Sequence, residues 1–321
     1  MKLFRRNKMK DLKKKEAELL VQMRNTKLST KEFIGKYQLP TTFKKLQEFQ
    51  NNGLIETQTI GFELWLDRPI TPAPKDLIPF AITGGDSCYF AFITDYGNQN
   101  DLETCPIAFI SPTDFDDKKP KQSNFLFAKN LKGFLSLMTS MEYAEHIRFQ
   151  NIYEASINNI IAEGILEFNE DQSVEEVEKK SKTKERLINE FDLSIINDYH
   201  KYFQSVKETR NGPKHLPTLD GINLYLESST KLMEINGESI INYAQKFKNE
   251  NRASALVAIR NAPYKFSYSD SDYDEYKTYL INIFENLDLQ REMRIQEFEV
   301  KMDKISSEWM KIRKQIIKDE R

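Results

Sequence analysis

The chain has 321 residues, of which 47 are basic and 49 acidic, and its formal net charge at pH 7 is −2. Apolar residues make up 39% of the chain and charged residues 30%, a balance typical of a protein with much exposed helical surface. No apolar run approaches the roughly 20 residues that a membrane-spanning helix needs, and the basic N-terminus lacks the apolar segment of a secretory signal. We therefore expect a cytoplasmic protein with no membrane partner.

The N-terminal segment is strongly basic. Residues 1–30 carry ten basic and three acidic side chains, and residues 8–25 are predicted to form a helix. A basic helix can bind nucleic acid or anionic lipid, but this one also has a thin apolar stripe that favours docking on another helix. Docking is the interpretation we prefer, so nucleic acid is disfavoured as a partner. The stripe consists of Leu12, Leu19, Leu20 and Met23.

The middle of the chain reads as a sheet closed by a helix. Short runs rich in Phe and Ile alternate with turn sequences such as Gly84-Gly85-Asp86, which is typical of strands joined by tight turns. Phe90 and Phe92 should share one face of their strand. Asn130 is a suitable cap for a helix with apolar residues at i, i+3, i+4 and i+7, and a further helix should cover 142–151. The predicted strands are 60–66, 78–83, 88–94, 106–111 and 125–128.

The same stretch has a marked charge bias. Eight carboxylates and no Lys or Arg lie between Asp76 and Asp117. A surface of unpaired carboxylates repels itself, and the docking of a basic protein relieves that repulsion. The alternative is that these acids are ordinary turn and loop residues on different faces. The candidate partner-binding residues, including two tyrosines as aromatic anchors, are Asp86, Asp95, Asp101, Glu103, Asp114, Asp116, Tyr89 and Tyr96.

No pattern of catalytic chemistry is recognised. His146, His200 and His215 do not share metal-ligand spacing with one another or with Cys or carboxylates. Phosphate-binding loops, nucleophile elbows and CxxC pairs are absent from the sequence. We expect no catalytic residue, no metal and no cofactor, hence a non-enzymatic protein. Cys88 and Cys105 are expected to be buried free thiols in a reducing compartment.

Residues 152–321 are predicted to be mainly helical, with a long amphipathic helix from Asp288 to Lys318. Its apolar residues follow an unbroken 3,4 spacing over three heptads. They could pack against another helix of the chain, such as residues 12–23, form a homodimer, or bind a foreign partner. The seam consists of Ile295, Phe298, Met302, Ile305, Trp309, Ile312 and Ile316.

Residues 30–150 resemble the SUKH superfamily, the Smi/Knr-like domains of bacterial toxin-immunity loci. The resemblance rests on an apolar strand with proline, a small-Gly-Gly-Asp turn, an aromatic strand that ends near Asp, a Pro-containing strand and a closing apolar helix. It implies an α+β fold and binding of a cognate toxin. The matching segments are Pro79-Phe80-Ala81, Thr83-Gly84-Gly85-Asp86, Phe90 to Asp95, Pro106 to Thr113 and Ala128 to Met138, together with the helix start at 39–43.

The sequence thus predicts an α+β protein in three parts. A basic helix (1–29) precedes a SUKH-like domain (30–151), in which helices pack on a mostly antiparallel sheet, and a mainly helical region (152–321) ends in the long helix. The predicted function is neutralisation of a basic toxin domain, for which a nuclease is the leading candidate, through the acidic surface. The alternative is a scaffold or regulatory protein whose terminal helix mediates assembly.

Overall fold

The structure is a computed structural model and describes residues 2–66, 73–83, 88–111, 124–141, 152–170, 172–227, 251–264 and 272–320. It confirms the predicted α+β class, because helices pack on a five-stranded antiparallel sheet and a long helix ends the chain. The strands neighbour one another in chain order. They are β1 (Glu63–Leu64), β2 (Leu77–Ile82), β3 (Tyr89–Ile93), β4 (Ile107–Ile110) and β5 (Asn124–Ala128).

The structure also contains a separate two-stranded ribbon and ten described α-helices. The ribbon pairs β6 (His215–Leu216) with β7 (Leu224–Tyr225). The helices are α1 (Lys2–Asn25), α2 (Thr30–Ile34), α3 (Thr41–Asn51), α4 (Leu131–Met141), α5 (Ile157–Glu170), α6 (Val174–Phe191), α7 (Tyr199–Glu208), α8 (Arg252–Asn261), α9 (Asp272–Asn286) and α10 (Gln290–Glu320). No described helix has both the length and the apolar content to cross a membrane.

The first predicted strand is much shorter than expected. Thr57–Ile60 form a 3-10 turn, and only Glu63–Leu64 pair with β2. Gly61 between them has φ 90°, a left-handed conformation that glycine adopts without steric cost and that interrupts an extended chain. Ile60 and Phe62 are both buried, although the backbone around them is not extended. The predicted turn at 84–86 and the helix at 142–151 lie outside the described residues.

Polar side chains mark several helix ends. Asn130 Oδ1 accepts a hydrogen bond from Gly133 N at 2.8 Å, so Asn130 caps α4 as predicted. Asp198 caps α7 in the same way, accepting from Lys201 N at 3.0 Å. Asp192 ends α6 with φ 49°. Asp tolerates the left-handed conformation better than most residues, which is why it suits this helix end.

Both faces of the sheet are covered. Phe90 and Phe92 point to the same side, as predicted, and Phe90 contacts Phe134 of α4 with ring centroids 4.8 Å apart. Residues of α5, α6, α7 and α10 join this main core, so it contains side chains from both sides of the boundary predicted at 151/152. The opposite face packs against Val206 and Ile222 of the C-terminal region. This double burial explains why the strands read as nearly continuous apolar runs.

The seam of α10 is occupied within the chain. Ile305, Ile312 and Ile316 form a separate apolar cluster with Leu19 of α1, while Ile295 belongs to the main core. The remaining seam residues Phe298, Met302 and Trp309 are half-buried. Of the three interpretations left open by the sequence, packing against the N-terminal helix is the one that this arrangement favours.

Replacing Leu19 with aspartate is expected to detach α1 from α10, because it places a charge in the small apolar cluster that joins the two helices. Hydrogen exchange should show lost protection in α1 and around 305–316, with the sheet unchanged. Leu20→Asp is the matched control, since Leu20 is 37% exposed whereas Leu19 is 6% exposed. Equal loss of protection in the two variants would contradict the packing described here.

Candidate functional site

Two candidate residues of the acidic surface are in the interior. Asp95 is 0% exposed and Tyr96 2% exposed, so the prediction that they belong to an exposed binding face is wrong. Both residues have positive φ, 49° and 52°, in a 3-10 turn that follows β3. The turn directs Asp95 towards Arg210, whose Nη1 and Nη2 donate to the two carboxylate oxygens at 2.8 and 2.7 Å. This fork-to-fork geometry is the strongest kind of side-chain ion pair.

A second buried pair joins the sheet to helix α8. Arg260 is fully buried and donates from Nη1 to Asp76, which begins the acidic stretch, and from Nη2 to Asp220 at 3.0 Å. Asp220 also accepts hydrogen bonds from Thr218 Oγ1 and Ile222 N. We call the five residues Asp76, Asp95, Arg210, Asp220 and Arg260 the buried charge cluster. It contains three carboxylates and two guanidinium groups, an excess of one negative charge.

The excess negative charge favours the protonated form of Asp76. Burial is the main cause that raises the pKa of Asp76 from its ordinary value of 3.8 to about 6; Arg260 opposes the shift, and Asp95 and Asp220 add to it. Asp76 Oδ1 accepts no hydrogen bond from the part of the chain that the structure describes. That oxygen can carry the proton that neutralises the cluster.

The two other acidic candidates that the structure describes, Asp101 and Glu103, also lie in the loop between β3 and β4. Asp101 is exposed and accepts from Glu103 N at 3.0 Å, so it orders its own loop. Glu103 is half-buried and accepts from Thr42 N at 3.2 Å, where Pro40 supplies no side-chain cap for α3. Neither carboxylate forms an ion pair with a described residue. Their charges therefore remain available to a partner.

The other predicted residues contribute less. Tyr89 is half-buried and stacks on Trp65, with ring centroids 5.0 Å apart. Asp86, Asp114 and Asp116 lie outside the described residues. Within the connection between β3 and β4, the structure therefore buries Asp95 and Tyr96 but leaves Asp101 exposed and Glu103 half-buried.

Two concave sites are lined by residues of helix α10 and its neighbours. An open groove of about 640 Å³ runs between α9 and α10, and a cavity of about 20 Å³ beside Gln296 has room for one water molecule. Among the described residues, no group of His, Cys, Asp and Glu is arranged to hold a metal ion. Both cysteines are free and buried, and burial raises the pKa of the Cys105 thiol to about 12.

The two arginines of the buried charge cluster were not among the residues predicted from the sequence. Arg210 lies 115 residues from Asp95, and Arg260 lies 184 residues from Asp76. One sequence feature could have indicated that Arg260 is buried. It directly follows the apolar run Ala255–Ile259, and its own helix contains no acidic residue that could pair with it.

Comparison with family models, with curated proteins and with solved structures finds no match to this chain.

Proposed function

We propose that this protein is a non-enzymatic binding protein of the immunity type, which neutralises a basic toxin domain, such as a nuclease, in the cytoplasm. The observation that carries the proposal is the exposed loop between β3 and β4, where Asp101 and Glu103 have no counter-charge among the described residues. The loop lies within the segment that resembles SUKH domains, and the implied role of those domains is the same.

The loop is suited to binding because it is held in one conformation. Leu102 and Cys105 are 1% and 0% exposed and anchor it in the main core, and Asp101 accepts hydrogen bonds from the loop itself. A carboxylate that is already ordered loses little conformational entropy when a partner docks. Its charge also steers a basic partner and opposes an acidic one.

The scaffold alternative has less support. Assembly through the α10 seam would require α1 to leave, because Leu19 and the seam isoleucines pack together within the chain. No observation in the described residues favours assembly over toxin binding.

The proposal predicts that removing the loop charges weakens the toxin complex. Asp101→Asn with Glu103→Gln keeps one acceptor oxygen at each position, enough for the bonds from Glu103 N and Thr42 N, and removes two negative charges. The affinity for a basic toxin domain encoded by the neighbouring gene should fall about tenfold or more, since rim and core charge pairs contribute roughly 1–3 kcal/mol together. Binding is measured by calorimetry at physiological salt, and protection by growth of cells that express the toxin.

The matched control is Glu175→Gln with Glu178→Gln on α6, which removes the same charge at two exposed positions. Binding of the toxin by the wild type, with loss only in the loop variant, is the expected result. Equal affinities of the two variants would rule out the loop as the binding face. A neighbouring gene product that neither binds nor is inhibited would overturn the proposed function itself.

A further inference from the structure

Beside its apolar seam, helix α10 has a second regular pattern, a row of exposed and mostly basic side chains. Four lysines and one serine follow a 3,4,3,4 spacing, all five are exposed, and the set contains no acidic residue. Because this spacing keeps residues on one side of a helix, they form a single line about 21 Å long at 1.5 Å per residue. We call it the lysine stripe, and it consists of Lys304, Ser307, Lys311, Lys314 and Lys318.

Among the residues that the structure describes, no acidic side chain neutralises the lysines of the stripe. Neighbouring charges on the two helices are paired: Lys15 with Glu308 at 2.7 Å, and Arg313 with Glu16 at 3.2 Å. None of the four stripe lysines forms an ion pair with a residue that the structure describes. Asp303, Glu308 and Glu16 near the stripe are already paired with other bases.

The stripe belongs to a basic part of a segregated chain. Residues 1–28 carry ten basic and three acidic side chains, and residues 301–321 carry seven and four. The rest of the chain carries 30 basic and 42 acidic side chains. Since α1 packs on α10, the two basic segments lie together. A partner that docks on these segments meets more basic than acidic side chains, whereas the rest of the chain has the opposite balance.

Three physical features distinguish among anionic partners. An interfacial membrane helix buries an apolar face in the bilayer, but the apolar face of α10 is already packed against α1. Single-stranded nucleic acid is bound with aromatic stacking platforms, and no aromatic residue belongs to the stripe. A straight row of lysines without base-reading side chains suits the regularly spaced phosphates of a duplex.

We propose that the lysine stripe of α10 binds the phosphate backbone of a double-stranded nucleic acid without sequence preference. The contact neutralises phosphates at the stripe lysines, and Ser307 can donate a further hydrogen bond. The site lies on a different element from the β3–β4 loop and does not depend on the toxin-binding proposal. It also departs from the expectation that nucleic acid is a disfavoured partner, which was based on the N-terminal helix.

The test measures binding of the full chain to a labelled duplex of about 20 base pairs by fluorescence anisotropy. Four phosphate contacts predict that the association constant falls about 150-fold between about 50 and 200 mM salt. Lys304→Gln, Lys311→Gln and Lys318→Gln together leave one contact, so the same change in salt should cost only about fourfold. At the lower salt concentration, this triple variant should bind at least about tenfold more weakly than the wild type.

The control is the triple variant Lys132→Gln, Lys179→Gln and Lys182→Gln, which loses the same charge at exposed, ion-paired positions. It should keep the wild-type affinity and salt dependence. Equal losses in the two triple variants, or no duplex binding by the wild type at the lower salt, would overturn the proposal. So would stripe-dependent binding to phosphatidylserine vesicles without duplex binding, which would assign the stripe to a membrane surface instead.

Discussion

Replacing Arg260 with methionine is expected to lower the free energy of unfolding by about 3–5 kcal/mol, the cost of removing one partner from a buried ion pair. Methionine fills much of the same volume, so the loss reports charge rather than a cavity. Asp76 and Asp220 both accept from this guanidinium and are 0% and 2% exposed. Without it, the cluster would hold three carboxylates and one cation away from water. The loss is measured by urea denaturation near neutral pH.

A substitution on the same helix provides the control. Arg252 also lies on α8, but it is exposed and donates one hydrogen bond to Leu287 O, so Arg252→Met should cost about 1 kcal/mol. A loss below about 1 kcal/mol in Arg260→Met would contradict the ionised cluster. If that variant does not accumulate, Arg260→Lys retains the charge and one contact and should show a smaller, measurable loss.

The buried charge cluster explains how the two halves of the sequence are combined. Asp76 precedes β2 and Asp95 follows β3, and the arginines that pair with them come from the turn after α7 and from α8. Around the ion pairs, Val206 and Ile222 pack on the apolar face of the sheet. The C-terminal region therefore covers a sheet face whose flanking carboxylates pair, among the described residues, with arginines of that region. Such pairing fixes the register of the two layers, because a shifted layer would leave charges buried and unpaired.

The parts of the fold that the sequence predicted are those set by local pattern. The spacing of Leu131, Phe134 and Met138 specified α4, and the alternation in β3 placed Phe90 and Phe92 on one face. These signals arise within a few residues, since helix and strand periods are short. The strand at 60–66 was overestimated because Gly61 permits a turn that apolar alternation does not reveal.

The candidate site was less predictable for a physical reason. An unbalanced acidic stretch looks the same in sequence whether its partner is another protein or an arginine more than a hundred residues away. Asp95 proved to be of the second kind, and Asp101 has no such partner among the described residues. The distinction depends on which layer covers each turn, and that is a property of tertiary packing rather than of local composition.

Replacing Asp76 with asparagine is expected to stabilise the protein at neutral pH and to remove part of its pH dependence. The pKa of Asp76 is raised from 3.8 to about 6 in the folded protein, chiefly by burial. Between these values the folded state binds a proton that the unfolded state has released, so stability falls as the pH rises through this window. The difference corresponds to about 3 kcal/mol, and asparagine resembles the protonated acid in shape and lacks its charge.

The measurement compares urea denaturation of the wild type and Asp76→Asn from about pH 4 to pH 8, the range that brackets the two pKa values. The difference in free energy of unfolding should be small at the acidic end and reach about 3 kcal/mol in favour of the variant above pH 7. Asp101→Asn, at an exposed position, should stay within about 0.5 kcal/mol of the wild type. A variant less stable than the wild type at pH 8 would show that the ion pair with Arg260 outweighs the burial of the carboxylate. The cluster would then be held together by attraction alone, with no strain from its excess negative charge.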